Sequence, residues 1–327
     1  MDNIPPKTLQ DLEFITVLEQ LASHCQTEMG REQALALTPI PGKEVLMTSL
    51  GQTSEYLSSF TTDNRIPNHG FDSIQGELRL LKIENTTLEI AGFRRIASIC
   101  ETISTHKRFF AKFREYYPLL AAQSGEIQEN KEIPGLVHGV IDRFGEIRDD
   151  ASDALKQIRK DMLKVRARIN QSFAAALSSY QASDYLDDIR ESVVDNRRVL
   201  AVKAMYRKKV RGGVMGSSKT GSIVYIEPEA SLAYSRELNN LEFEEREEIQ
   251  RILKKLTADI RPYARQLNDY QAYLARTDVT AAKALYAREM DALMPGINED
   301  RQLYLRDAYH PLLYLSYKRK GETTWPQ

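Results

Sequence analysis

Residues 152–180 have the sequence SDALKQIRKDMLKVRARINQSFAAALSSY, and this stretch decides the fold. It contains neither glycine nor proline. Its apolar residues recur at intervals of three and four, at Leu155, Ile158, Met162, Val165 and Ile169. That spacing places them on one stripe of an α-helix and is typical of the seam between two helices of a coiled coil. We therefore expect a long helix that pairs with a second helix.

A second stretch with the same rhythm begins at Pro228 and predicts the partner helix. Proline suits the first position of a helix, and the carboxylate of Glu229 complements the positive end of the helix dipole. Its apolar positions are Ile249, Ile252, Leu256, Ile260, Tyr263, Leu267, Tyr270 and Leu274. The simplest arrangement is an antiparallel helical hairpin with arms of roughly 45 Å, at about 1.5 Å per residue. Pro262 predicts a kink at which the returning chain re-enters the rest of the protein.

The segment between the two stretches predicts a small β module. Residues 199–202 (VLAV) and 222–226 (SIVYI) are typical strand sequences, and residues 211–221 are rich in glycine and serine. The module would lie at the tip of the hairpin. The predicted fold class is therefore mainly α: a helical core body with a long antiparallel helical hairpin that carries a small β-rich module at its tip.

The two ends of the chain predict different structures. Residues 1–145 predict a compact helical body with helices over 12–21, 43–61 and 87–116. In the first of these, the apolar stripe comprises Leu12, Ile15, Leu18 and Leu21. Residues 302–307 (QLYLRD) are strand-like. Because a lone strand cannot form a sheet, we expect this segment to begin a further domain.

The composition limits the class of protein. With 42% hydrophobic and 28% charged residues, the chain has enough apolar material to exclude global disorder. Two cysteines are too few for a disulfide framework or a zinc cluster. The sequence has no apolar run of membrane-spanning length and no leader-like N-terminus, so we expect a soluble, cytoplasmic protein. The net charge is −1, so any nucleic-acid site must be a local patch.

Such a patch lies in the predicted β module, where no acidic residue interrupts positions 197–219. Phosphate groups need a positive field of this kind, and neighbouring glycines and serines would add backbone and hydroxyl donors. The predicted nucleic-acid-binding residues are Arg197, Arg198, Lys203, Arg207, Lys208, Lys209, Arg211, Ser217, Ser218 and Lys219. No spaced aromatic residues accompany them, so we expect contacts with the backbone, not the bases. The alternative is a solvated strand edge that lysines protect from pairing.

Other candidate sites are weaker. The run Gly213–Thr220 matches a phosphate-binding P-loop except at Ser218, but a P-loop opens a helix and a strand sequence follows here. His24 and Cys25 are sequence neighbours on a helix and do not share a face. The remaining histidines lack ligand-like spacing, and the glutamates of 242–248 are best explained as the solvent side of a helix that faces basic residues. The sequence therefore predicts no catalytic residues and no metal site.

Several short motifs occur together along the chain. They are Asp11–Phe14 (DLEF), Asn196–Lys203 (NRRVLAVK), Gly221–Pro228 (GSIVYIEP), Leu238–Leu241 (LNNL) and Leu305–Leu313 (LRDAYHPLL). In these motifs and in the order of its parts, the chain resembles the MutS family, specifically its bacterial MutS-two branch. The resemblance extends over essentially the whole length.

The resemblance implies a division into five parts. These would be a core at 1–150, an outgoing lever helix at 151–190, a β-rich clamp at 191–227, a returning lever helix and core at 228–300, and the start of a missing ATPase domain at 301–327. Full-length members are similar to ATP-driven, homodimeric DNA clamps of recombination suppression and mismatch repair, or to ribosome-rescue factors. ATP, Mg²⁺ and a Smr nuclease domain would belong to the longer protein.

For this chain the resemblance implies binding without catalysis. The clamp would bind branched or duplex DNA, or structured rRNA of the ribosome, and the chain would need no cofactor and contact no membrane. A rival interpretation uses the seam differently, as a coiled-coil arm that binds a second copy or a ribosomal protein. Nucleic-acid binding and sedimentation measurements separate the two.

Overall fold

The computed structural model describes residues 5–298, 300 and 302–321. The chain forms two compact units, one of Met1–His138 with Leu256–Gln327 and one of Gly139–Lys255. The helices are α1 (Pro6–Asp11), α2 (Phe14–Ala22), α3 (Glu28–Leu35), α4 (Lys43–Ser58), α5 (Gln75–Leu81), α6 (Ile90–Lys112), α7 (Pro118–Gly125), α8 (Glu132–Val140), α9 (Asp153–Ala182), α10 (Glu229–Ile260), α11 (Ala264–Glu289) and α12 (Pro311–Lys320). The strands are β1 (Leu186–Val194), β2 (Arg197–Lys203), β3 (Gly212–Ser217) and β4 (Ile223–Pro228).

The first unit is organised around α11, which packs against α2, α3, α4, α5 and α6. The apolar rhythm of the sequence explains this position, because Leu267, Tyr270 and Leu274 are all buried. A short 3₁₀ turn at Arg261–Tyr263 separates α10 from α11. The predicted break at Pro262 is therefore confirmed.

A buried polar network ties the first unit together. The Asp278 carboxylate is fully buried and accepts hydrogen bonds from the Gln26 and Thr27 backbone nitrogens, at 3.0 and 2.8 Å, and from Thr27 Oγ1 at 2.6 Å. His69 Nε2 donates a hydrogen bond to Asp278 Oδ1 at 2.9 Å, and Tyr56 Oη lies 3.2 Å from His69 Nδ1. Burial alone raises the pKa of Asp278, but these hydrogen bonds outweigh it and hold the pKa below its ordinary value.

The ends of the chain correct two local predictions. The backbone at Glu13 is left-handed, with φ of 49°, and interrupts the predicted helix between α1 and α2. Leu12 and Ile15 are consequently exposed, whereas Leu18 and Leu21 are buried as predicted. Among the described residues of 302–307 there is no strand, so that prediction is wrong. Among all described residues, no helix combines the length and apolar character needed to cross a bilayer.

The second unit is built on an antiparallel sheet of four strands in the order β1-β2-β4-β3. The apolar run of β2 explains its central position, because Val199, Leu200, Ala201 and Val202 are fully buried. α9 begins at the N-cap Ser152, whose hydroxyl accepts a hydrogen bond from the Leu155 backbone nitrogen at 3.0 Å. Phe173 of α9 packs into an apolar cluster with Leu186, Leu200, Val202, Val210 and Ile226.

The predicted fold class is wrong: the fold is mixed α/β, 60% helical with a four-stranded sheet, and the described residues show no long antiparallel helical hairpin. The apolar stripe of α9 does face inward, and Leu155, Met162 and Val165 are buried. The closest backbone packing of α9, however, is with β1. In α10, the buried residues that precede Ile252 are all polar: Ser231, Ser235 and Glu248. Within the described residues, the first half of α10 therefore contributes no buried apolar side chain to a seam with α9.

Candidate nucleic-acid interface

The ten predicted binding residues divide into three groups, and the first group lies on β2. Arg197, Arg198 and Lys203 each have a carboxylate partner. Arg197 Nη1 donates to Glu227 Oε2 at 2.9 Å, and the Glu227 side chain is only 2% exposed. This ion pair spans neighbouring strands of the sheet. The charge of Arg197 is therefore largely used within the fold.

Arg198 is held by three separate contacts. Its guanidinium donates to Glu191 Oε2 at 2.6 Å and to Asn170 Oδ1 at 3.3 Å. It also lies over the Phe173 ring, 4.3 Å from the ring centroid. A cation over an aromatic face is attracted by the ring quadrupole, so this position is favourable for structural reasons alone.

Lys203 ends β2 and pairs with Asp184. Its Nζ donates to Asp184 Oδ1 at 3.0 Å, and this hydrogen bond raises the pKa of the lysine. Glu191 and the residues next to Asp184 belong to β1 and its approach, a strand that sequence reasoning missed. The acidic residues of this region are Asp184, Asp187, Asp188, Glu191 and Asp195. They lower the positive field that residues 197–203 produce.

The second group forms the basic segment, which we define as Arg207–Arg211. It connects the end of β2 to the start of β3 after a 3₁₀ turn at Ala204–Tyr206. Val210 anchors it, since this side chain is buried in the apolar cluster against the sheet. Backbone hydrogen bonds at its start, from Arg207 to the Ala204 carbonyl and from Lys209 to the Tyr206 carbonyl, fix the local turn at 3.2 and 2.8 Å.

The four cations of the basic segment are free of the neutralisation found on β2. Arg207, Lys208, Lys209 and Arg211 are all exposed. Among the described residues, no carboxylate lies within ion-pair distance of any of them. Arg207, Lys208 and Arg211 also line a shallow hollow of about 500 Å³ with Glu229, at the N-terminus of α10. The segment therefore presents a concentrated positive field to solvent.

The third group lies at the tip of the β-hairpin between β3 and β4. The Gly221 nitrogen donates to the Ser218 carbonyl at 2.9 Å, and Gly221 has a positive φ of 71°, which closes the turn. Ser218 Oγ accepts from the Ile223 nitrogen at 3.1 Å, so this hydroxyl supports the turn. Ser217 and Lys219 are exposed, and Lys219 has no ion-pair partner among the described residues. Lys219 is therefore a further free cation of the module, at the opposite end of β3 from Arg211.

The glycine-rich run serves strand pairing. Gly212 pairs with Pro228 and Gly213 with Glu227 across β3 and β4. A Cβ at Gly212 would lie 2.0 Å from the Glu227 carbonyl oxygen, so only glycine fits there. The next element after the hairpin turn is β4, as the sequence indicates. Residues 213–220 therefore lack the strand-to-helix geometry of a P-loop.

The remaining polar candidates form structural contacts. Glu245 accepts a hydrogen bond from Arg159 at 2.7 Å, and Glu242 forms an ion pair with Arg166 at 3.6 Å, so these two glutamates of α10 face basic residues as predicted. Burial raises the pKa of both Cys25 and Cys100 to about 12, so neither thiol is a ready nucleophile. Within the described part of the chain, no group of three or more His, Cys, Asp or Glu side chains could hold a metal ion.

Comparisons with known proteins show which proteins this chain is similar to. No family model matches it. It is 30% identical over 310 residues to a protein named "Endonuclease MutS2" of Bacillus velezensis. It is 29% identical over 312 residues to a protein of the same name from Leuconostoc mesenteroides, and 29% over 310 residues to "Putative endonuclease MutS2" of Bacillus subtilis. Each match covers 94% of this chain and 39% of the relative.

These matches overturn two predictions. The sequence assigns the chain to the core, lever and clamp portion of a MutS-two protein, truncated before its ATPase domain; that assignment is wrong, because the relatives are named for endonuclease activity and only 39% of their length is covered. The prediction that this chain is not an enzyme is wrong on the same finding. What stands is a relationship at the level of the named proteins: this chain is related to proteins called endonuclease MutS2.

Proposed function

We propose that this chain binds nucleic acid by holding the phosphate backbone with the basic segment and Lys219. One observation carries the proposal: five exposed cations of one small module lack a carboxylate partner among the described residues. The names of the relatives support it, because an endonuclease acts on nucleic acid. Arg197, Arg198 and Lys203 contribute less, since their charges are already paired.

The geometry supports a non-specific mode of binding. Exposed lysines and arginines release counterions from nucleic acid, so the affinity should fall steeply with salt. We expect dissociation constants of order 10⁻⁴ to 10⁻⁶ M near physiological salt. The proposed partners are duplex or branched DNA first and structured rRNA second. Neither a cofactor nor a membrane takes part, and the binding takes place in the cytoplasm.

Fluorescence anisotropy with a linear duplex, a branched DNA and a structured rRNA tests this proposal at two salt concentrations. The variant replaces Arg207, Lys208, Lys209 and Arg211 with glutamine. The matched control replaces four exposed cations of the same unit, Lys156, Lys160, Arg236 and Lys254, with glutamine. We expect only the first variant to weaken binding, and the slope of log K against log salt to fall by about 0.9 for each lost phosphate contact.

The control makes the result specific. Equal losses in both variants would show that net charge alone matters and would contradict a defined interface. Absence of salt-dependent binding to all three ligands would contradict the function itself. Sedimentation of the free chain then shows whether a homodimer forms, and a dimer without nucleic-acid binding would favour a protein-interaction role.

Strand cleavage by this chain is the second candidate function, and the name shared by the relatives supports it. Incubation of the purified chain with supercoiled plasmid and Mg²⁺ or Mn²⁺ tests it. Cleavage predicts open-circular product that follows the protein peak through gel filtration and disappears when the metal is chelated. Unchanged plasmid would limit the chain to binding.

A further inference from the structure

A cleft of about 520 Å³ in the second unit is lined by Arg197 and Arg198 but by none of the free cations described above. It is formed by the second half of α9, the turn between β1 and β2, the end of β4 and the first half of α10. Pockets of this size accommodate small organic molecules. Because helices and strands form most of its walls, the polar groups that line the cleft are held in fixed positions.

The floor of the cleft contains an ion pair between Arg197 and Glu227 in which only one carboxylate oxygen of Glu227 has a partner. Glu227 is 2% exposed, and its Oε2 accepts from Arg197 at 2.9 Å. Glu227 Oε1 has no hydrogen-bond partner among the described residues. This oxygen can therefore accept a hydrogen bond from a ligand in the cleft. Together, the pair presents a donor beside two acceptors.

The charges of the cleft largely cancel. Its three guanidiniums each have a carboxylate partner: Arg166 lies 3.6 Å from Glu242, Arg197 2.9 Å from Glu227, and Arg198 2.6 Å from Glu191. A phosphate would have to compete with carboxylates that are already in place. An uncharged ligand with several hydrogen-bonding groups fits the cleft better.

The walls of the cleft add amides and apolar side chains. Asn239 makes no side-chain hydrogen bond with another described residue, and Asn170 uses only its oxygen, which accepts from Arg198. Ile169 and Leu238 supply partly buried aliphatic surface. Flat, polar-edged rings bind between such surfaces, as flipped bases do in enzymes that act on them.

We propose that this cleft binds an unpaired guanine base. The pairing edge of guanine presents one acceptor, O6, beside two donors, N1–H and N2–H₂. This order complements the donor of Arg197 and the two oxygens of Glu227, as the pairing edge of cytosine does. Adenine and cytosine present a different order of donors and acceptors. The base can come from a free nucleoside or from an unpaired nucleotide in a nucleic acid; only the second source rests on the proposed function.

Titration calorimetry of the full chain with guanosine, inosine, adenosine and cytidine tests the ligand. We expect guanosine to bind on the order of tenfold more tightly than adenosine, because a well-formed bidentate contact discriminates between bases by roughly 5- to 150-fold. Inosine lacks the N2 amino group and should fall between them. Equal binding of guanosine and adenosine, or no guanosine binding, overturns the proposal.

Two variants locate the binding. Glu227→Gln should weaken guanosine binding by about tenfold, because one acceptor is replaced by a donor. Because Glu227 is buried, its substitution could also affect folding, so a second variant is needed. Asn239 is exposed, and Asn239→Leu should weaken binding without disturbing the fold. Binding of guanosine that neither variant changes would place the site elsewhere and overturn the proposal.

A duplex with one bulged guanine, the same duplex with a bulged adenine, and the fully paired duplex identify the source of the base. Tighter binding of the bulged guanine, lost in Asn239→Leu, assigns the cleft to nucleic acid. If guanosine binds but the bulge adds nothing, the cleft serves a free nucleoside. If no duplex binds at all, the proposed function fails while the nucleoside titration still decides this proposal.

Discussion

The two units of the chain use polar groups in opposite ways. The first unit buries Asp278, His69 and Tyr56 in a network in which each group has defined partners. The second unit exposes the cations of the basic segment without partners among the described residues. A satisfied buried network stabilises one arrangement, whereas exposed charge contributes little to stability and acts at a distance. Substitutions in the two units should therefore affect different measurements.

The largest effect is expected from Asp278→Ala. The change leaves the buried His69 and Thr27 and the half-buried Gln26 backbone nitrogen without their acceptor, which should cost about 3–5 kcal/mol of unfolding free energy. Urea denaturation measures the loss, and Asp269→Ala on the exposed side of the same helix is the control. Nucleic-acid affinity of the folded variant should not change. A loss below about 1 kcal/mol would contradict a stabilising role for the network.

A pH dependence of stability should follow from His106. Burial lowers its pKa to about 4 in the folded protein, from an ordinary value of 6.5. The unfolded chain therefore binds the proton more readily, and stability should fall by about 3 kcal/mol as the pH decreases from 6.5 to 4. His106→Gln should flatten this part of the profile, as measured by urea denaturation at several pH values. An unchanged profile would assign the acid sensitivity to other groups.

Arg197→Gln tests whether the charge of Arg197 stabilises the fold or binds nucleic acid. The variant leaves the buried Glu227 without its partner and should lower the unfolding free energy by about 2 kcal/mol. Affinity for a fully paired duplex should stay within about twofold, because this guanidinium is already neutralised. A thermal melt and anisotropy measure the two effects. A large affinity loss with unchanged stability would reverse the distinction between β2 and the basic segment.

The smallest effect is expected when carboxylates are removed next to β2. Asp184→Asn combined with Glu191→Gln frees Lys203 and Arg198, and duplex affinity should rise by about twofold to threefold at low salt. The salt dependence should become steeper. Glu237→Gln with Glu244→Gln changes the net charge equally on exposed positions of α10 and is the control. The same gain in the control would show that the pairing on β2 does not matter.

The sequence predicted elements with strong periodicity and missed those without it. The helices at 43–61 and 87–116 occur as α4 and α6, and the strands at 199–202 and 222–226 occur as β2 and β4. β1 (LDDIRESVV) was missed because charged residues interrupt its alternation and because three additional residues bulge between Leu186 and Glu191. The wrong fold class followed, since the sheet was predicted only as a small module at the tip of a helical hairpin, whereas the fold is mixed α/β with a four-stranded sheet.

The candidate site shows the same limit at the level of single charges. Composition identified the basic stretch, and the exposed positions of Arg207, Lys208, Lys209 and Arg211 agree with a phosphate site that stays a prediction. Composition could not show which cations are neutralised. Their partners are Glu191 in the unrecognised strand β1, Asp184 just before it, and Glu227 in the neighbouring strand β4. The positive field of the module depends on ion pairs between residues that are distant in the sequence, and only the tertiary structure shows these pairs.

The irregular edges of the sheet have a consequence for self-association. β1 and β3 are the outer strands, and each has a register shift, between Leu186 and Glu191 in one and between Val214 and Gly216 in the other. Edge-to-edge aggregation requires a regular, uninterrupted row of backbone donors and acceptors. Neither edge offers such a row, and Asp187 and Asp188 add like charge to the first. The fold thus discourages copies of the chain from joining sheet to sheet at high concentration.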